Sequence, residues 1–271
     1  MTRTNEIIRS SPRKRRPSLS WIPAGAGMSG AVLLLLASLS VPAGSMVGGA
    51  RPADRAIARH VVLVVGEHSL CSGVAIAPDL VLTAAHCVLL NGKYRLATFE
   101  GRRAAFKQVA SVTPHPQFSP RADAPDLALV KLALTPPPNL APAPFSERRA
   151  PPLVGDRFVV AGFGLSNAAE RRSAGTLRSA TLVVTDRPSS QQVSLVDPTK
   201  LGEAAGLGVC NGDSGGPVFD ERDGSLVGIV SWTGRTGGEP VCGFVSGIIP
   251  LARYRYWILD TAEKLGSPLE Q

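Results

Sequence analysis

No Cys-x-x-Cys pair and no histidine pair at ligand spacing occurs in the 271 residues, so the common ligand sets for zinc are missing. There is no acidic loop of the EF-hand kind, which leaves calcium without a site. No cofactor is expected. Charged residues are few, at 18%, against 44% apolar residues, a balance that excludes a disordered chain. No internal repeat is visible. The net charge of +8 is mostly a property of the start: six of the 29 bases but one of the 21 acids precede residue 46. The remainder is close to balanced, and no nucleic-acid partner is called for.

What is plentiful is glycine (28) and proline (23), spread along the chain. At that density they divide a chain into short strands and turns. β-Branched runs recur between them, giving expected strands at 60–65, 73–77, 80–83, 95–99, 107–113 and 127–132. The prolines of 136–144, with Pro151 and Pro152, read as an extended connector, because proline has no ladder donor. A second set follows at 157–161, 177–185, 217–220, 226–231 and 244–249. Many short strands at this spacing suggest a sandwich or barrel. Tyr254, Trp257, Ile258 and Ala262 fall at helical spacing, so a closing helix is expected over about 251–265.

Residues 1–45 run from basic (Arg3 to Arg16) through apolar (densest at Ala31–Ala37) to small (Ala43-Gly44-Ser45). That order is the pattern of a secretory signal peptide cleaved near Ser45; the alternative is an uncleaved N-terminal anchor. After cleavage no stable membrane association is expected. The chain is expected to be secreted or periplasmic. Its leader, with its arginine and alanine usage, suggests a bacterial source. Four cysteines permit three pairings. Cys71 and Cys87 lie on adjacent strand-like segments, and Cys210 and Cys242 flank a later loop; these are the expected bridges in an oxidising compartment.

Three strings carry chemistry. Thr-Ala-Ala-His-Cys ends at Cys87, Asp126 opens Asp-Leu-Ala-Leu-Val-Lys-Leu, and Gly-Asp-Ser-Gly-Gly-Pro spans 212–217. A serine hydroxyl is a poor nucleophile unless a base takes its proton, and an imidazole oriented by a carboxylate is suited to do so. Asp123 competes with Asp126, which is preferred because it directly precedes the apolar run. The order His86, Asp126, Ser214 is that of chymotrypsin in the standard triad template. From about Met46 to its end the chain resembles the trypsin/chymotrypsin-like serine proteases. Val160-Ala161-Gly162-Phe163-Gly164, Pro114-His115-Pro116 and Ser231-Trp232 add to the likeness.

The resemblance implies an all-β fold of two six-stranded antiparallel barrels, about 46–140 and 155–250, with the active site between them. It implies the same two disulfides and a monomer that cuts peptides or proteins. The triad would be His86, Asp126 and Ser214, with Ser231 donating to Asp126 and the amides of Gly212 and Ser214 forming the oxyanion hole. Gly208, Ser231, Trp232, Thr233 and Gly243 would line the substrate pocket. Gly208 stands where trypsins carry an aspartate, and Thr233 where glycine admits large side chains. Small or medium apolar residues before the cut are therefore expected, since a buried cation there would be unpaired. Met46-Val47-Gly48-Gly49 matches the family's mature start, with methionine for isoleucine, and implies a pair between the Met46 amine and Asp213. The alternatives are an inactive protease-like binding protein and an esterase. The esterase signature has the order Ser, Asp, His, which is absent.

Overall fold

A computed structural model describes residues 46–269 except 68, 89–91, 101–102, 121–123, 134–138, 186–191 and 235–240. The leader, His68, Asp123, Pro136, Pro137, Pro138 and part of the loop before Cys242 lie outside the described residues.

The described chain opens with a two-residue strand β1 (Arg51–Pro52) and a single helical turn α1 (Arg55–Ala58), capped by the Asp54 carboxylate on Ile57 N at 2.9 Å. Six strands follow: β2 (Val61–Val65), β3 (Leu70–Ala77), β4 (Leu80–Thr83), β5 (Arg95–Glu100), β6 (Arg103–Pro114) and β7 (Ala128–Leu132). They close into an antiparallel barrel in the order β2-β3-β4-β7-β6-β5. The second set is β8 (Arg157–Gly162), β9 (Arg178–Val184), β10 (Val193–Val196), β11 (Pro217–Asp220), β12 (Leu226–Gly234) and β13 (Val245–Pro250). These run β9-β10-β13-β12-β11-β8, and the β8–β9 pairing closes the ring, with β1 added beside β9. The architecture is two six-stranded antiparallel barrels, as the resemblance implied.

The sequence pattern explains the closure. β9 alternates buried and half-buried residues along its length, the period of a strand with one face on a core. β3 and β4 are buried almost throughout; β3 faces the first core on one side and packs on β8 and β11 of the second barrel on the other. Val62, Val74, Leu82, Leu96 and Leu129 fill the first barrel. Met46, Phe158, Leu182, Leu195 and Ile248 fill the second.

All eleven expected strands are present, most with shifted ends. Expectation omitted β1, α1 and β10. The closing segment begins as a tight turn over Leu251–Tyr254 and becomes the helix α2 only at Arg255, ending at Lys264. Tyr254, Ile258 and Ala262 are buried in the core cluster that also holds Val62 and Leu129 of the first barrel and Leu226 and Ile249 of the second. His115 packs against Tyr254 and Trp257, with ring centroids 5.4 and 4.7 Å apart. Disulfides join Cys71 to Cys87 and Cys210 to Cys242, with Cα atoms 6.1 and 4.7 Å apart.

Candidate active site

His86 sits in a tight turn, Ala85–Cys87, directly after β4. Asp126 lies two residues before β7, the neighbour of β4 in the barrel, so strand pairing brings the two together across 40 residues of sequence. The His86 Nδ1 atom is 2.7 Å from Asp126 Oδ2, and the His86 backbone amide donates to Oδ1 at 2.9 Å. A third donor comes from the other barrel: Ser231 Oγ, in β12, reaches Oδ2 at 2.6 Å. Burial of Asp126 disfavours its charge, but the His86 ring and the Ser231 hydroxyl outweigh that and hold its pKa below the usual carboxylate value. An ionised carboxylate only accepts, so Nδ1 carries the hydrogen and neutral His86 keeps its Nε2 lone pair free for a proton.

The Nε2 edge borders the first disulfide, 3.6 Å from Cys87 Sγ. The same sulfur is 3.8 Å from the carbonyl oxygen of Ser214, so the ring and the serine adjoin one atom. Cys71, His86 and Cys87 cluster within ligand distance of one another, but both sulfurs are spent in the disulfide and cannot act as thiolates toward a metal. Ser214 is half-buried, and its hydroxyl makes no hydrogen bond among the described residues. Such bonds are commonly long before substrate binds and tighten around it.

The backbone around Ser214 is anchored one peptide at a time. The Asn211 carbonyl accepts from Leu165 N at 2.9 Å, and the Asp213 carbonyl from Gly216 N at 2.9 Å. In a trans peptide the N–H opposes the C=O, so these two anchors aim the amides of Gly212 and Ser214 the other way. The amides of Asp213, Gly215 and Gly216 have acceptors; those of Gly212 and Ser214 have none among the described residues. The bend needs φ +100° at Gly212, and a Cβ there would sit 2.8 Å from Gly164 Cα. Two unmatched donors side by side suit an oxygen that gains negative charge.

Asp213 is completely buried behind this loop. Its oxygens accept from Gly164 N at 2.7 Å and Cys210 N at 2.8 Å. Burial nevertheless pushes its pKa up to about 7, because the two amides offset only part of the lost hydration. Met46 is buried in the second barrel's core, and Val47 pairs with Gly208 through an amide-to-carbonyl bond of 3.2 Å. No Met46–Asp213 bond occurs among the described contacts.

Three of the residues expected to line a substrate pocket lie close together. A Cβ on Gly208 would lie 2.9 Å from Gly243 Cα, so these two glycines are in contact. The Thr233 hydroxyl is within reach of the carbonyls of Val209 (3.2 Å), Val241 (3.0 Å) and Val245 (3.3 Å). Ser246 Oγ accepts from Val209 N at 3.1 Å. Trp232 stacks over Gly247, where a Cβ would strike the indole, and donates to Gln192 Oε1 at 3.2 Å.

Sequence reasoning passed over three contributors here. Ser72, Asp197 and Ser246 are buried polar residues bonded to the loops that carry Gly208 to Ser214. Ser72 interrupts the apolar run of β3 and Asp197 follows Val193–Val196. A polar side chain in such a run is the only signal the sequence offered, and it does not name the distant partner.

A family model described as Trypsin matches residues 46–258. Human Serine protease 56 is 31% identical over 253 residues, covering 86% of this chain and 41% of its own length. The chain thus spans about two fifths of that relative. Human Kallikrein-5 is 30% identical over 206 residues, covering 71% of this chain and 68% of its own. Among solved structures, neuropsin, described as a serine protease expressed in the limbic system of mouse brain, superposes with a TM-score of 0.63 at 24% identity, over 78% of this chain and 98% of its own. These named relatives are human and murine, and none of them points to a bacterial source.

Proposed function

Because the chain belongs to the trypsin-like serine protease family, we propose that it is a secreted serine endopeptidase acting through Ser214, His86 and Asp126. Ser214 Oγ attacks the scissile carbonyl carbon while His86 Nε2 takes the hydroxyl proton. The carbonyl oxygen becomes an oxyanion and accepts from the amides of Gly212 and Ser214. The new imidazolium is stabilised by ionised Asp126. It then gives its proton to the leaving amine, which departs as the acyl-enzyme forms. Water repeats the sequence with His86 as base and frees Ser214.

One observation carries this reading: an imidazole, oriented by a three-donor buried carboxylate, lies beside a loop whose two free amides are those of Gly212 and of Ser214 itself. A serine-directed peptidyl phosphonate tests it. The processed wild-type protein is expected to gain one covalent adduct at Ser214, and the His86→Ala variant none. Absence of an adduct on folded, processed wild type makes the chain a binding protein instead.

The pocket supports a preference for small or medium apolar side chains before the cut. Gly208 and Gly243 lie in contact and bring no carboxylate, and the Thr233 hydroxyl beside them reaches the carbonyls of Val209 and Val241. Cleavage after residue 45 would free the Met46 amine. Asp213, buried with no cationic partner among the described residues, is the acceptor we assign to it. Two disulfides and a leader of basic, apolar and small residues support export, to the outside or a periplasm. The enzyme works as a monomer on peptide or protein substrates and needs no cofactor.

A further inference from the structure

Ser72 is fully buried in β3 of the first barrel, directly after Cys71. Its backbone amide donates to the Ser214 carbonyl at 2.8 Å. Its hydroxyl donates to the Gly212 carbonyl at 2.9 Å and accepts from Phe163 N at 2.9 Å. Its own carbonyl accepts from Thr83 Oγ1 at 2.7 Å, which fixes Ser72 to the strand leading to His86. Four consecutive carbonyls, from Asn211 to Ser214, are therefore anchored, and Ser72 supplies two of the anchors. Among those four anchors its hydroxyl is the one made by a side chain.

We propose that Ser72 is a positioning residue: its hydroxyl, clamped between Phe163 N and the Gly212 carbonyl, keeps the Gly212–Ser214 backbone in the conformation that presents both amides to substrate. The proposal rests on the protease reading above. Removing the hydroxyl leaves a buried donor and a buried acceptor unpaired, and turning the Gly212 peptide toward other partners is the way to relieve that. Such a turn disturbs the backbone between the two free amides. The residue touches no reacting atom, so its loss weakens stabilisation of the tetrahedral state more than binding of the ground state.

The test compares processed wild type with Ser72→Ala on a peptide ester or amide with alanine before the cut. The expected result is a fall of about tenfold or more in kcat with KM within about threefold, since loss of a direct oxyanion donor costs roughly 100- to 1000-fold. A peptide boronic acid, which mimics the tetrahedral state, is expected to lose affinity in parallel with kcat/KM, while a non-covalent substrate-like peptide keeps its affinity. A purely structural role moves thermal stability without this split. If Ser72→Ala does not fold, Ser72→Gly, which also removes the hydroxyl, carries the same comparison. Folded variants with kcat and boronate affinity within twofold of wild type overturn the proposal and leave the protease reading intact. Wild type that fails to react with phosphonate removes both.

Discussion

Asp213 gives the sharpest consequence of burial without charge compensation. The perturbation is Asp213→Asn in full-length, uncleaved chain, with Ser214→Ala in both members of the pair to stop self-cleavage. In the folded uncut chain the carboxyl has its pKa raised from 3.8 to about 7. The sign follows from proton counts. Between those values the folded state keeps a proton that the unfolded state has released, so stability falls as pH rises through the window and levels off above it. At about 1.4 kcal/mol per unit the full fall is on the order of 4 kcal/mol. Other groups titrate too. Asp126 is held low, and burial lowers the pKa of His60 and His115, so these add stability as pH rises through their own ranges. They are common to both proteins and cancel in the difference. Urea midpoints from pH 4 to 8, at constant denaturant slope, give that difference directly. The aspartate protein is expected to lose ground steadily against its asparagine partner between pH 4 and 7. A chain beginning at Met46 is expected to lose none, because its amine supplies the missing cation. N-terminal sequencing identifies the species in each sample. A flat difference for the uncut pair, or equal behaviour of cut and uncut chains, refutes the reasoning.

Two further outcomes follow from side chains that meet across the barrels. Ser231→Ala removes one of three donors to buried, ionised Asp126; a hydrogen bond to a charged group is worth about 1.5–3 kcal/mol, so kcat/KM on an alanine substrate is expected to fall roughly 10- to 100-fold. Thr233→Gly unties the pocket walls, and the ratio of kcat/KM for phenylalanine over alanine before the cut is expected to rise about tenfold or more across a panel of Ala, Val, Leu, Phe and Arg peptides; rapid cleavage after Arg by the unaltered enzyme removes the specificity reading.

The strands were legible because β-branched runs are punctuated by turn residues, as where Gly66 closes Val61–Val65 and Gly224 precedes Leu226–Ser231. β10 was not, although Val193–Val196 is no shorter than β4 or β11; it gains its identity by pairing with β9 and β13. The turn α1 was hidden because four residues make a single helical turn with no periodicity to read. His86 and Asp126 were readable from their local strings, and the structure joins them. The link from Ser231 to Asp126 followed from the resemblance, not from any local pattern. Ser72 escaped notice because its partners lie 91 and 140 residues further on. That the Thr233 hydroxyl reaches the carbonyls of both Val209 and Val241 was equally invisible.

The last helix and the turn before it emerge from the second barrel yet lodge Tyr254, Ile258 and Ala262 in a cluster shared with the first, with His115 seated on Tyr254 and Trp257. It works as a buckle. His86 and Asp126 belong to one half of the molecule and Ser214 to the other, so their alignment depends on a fastening at the far end of the chain. Trimming that tail is expected to let the halves drift before either comes apart, so that labelling of Ser214 by a phosphonate falls while most of the architecture endures.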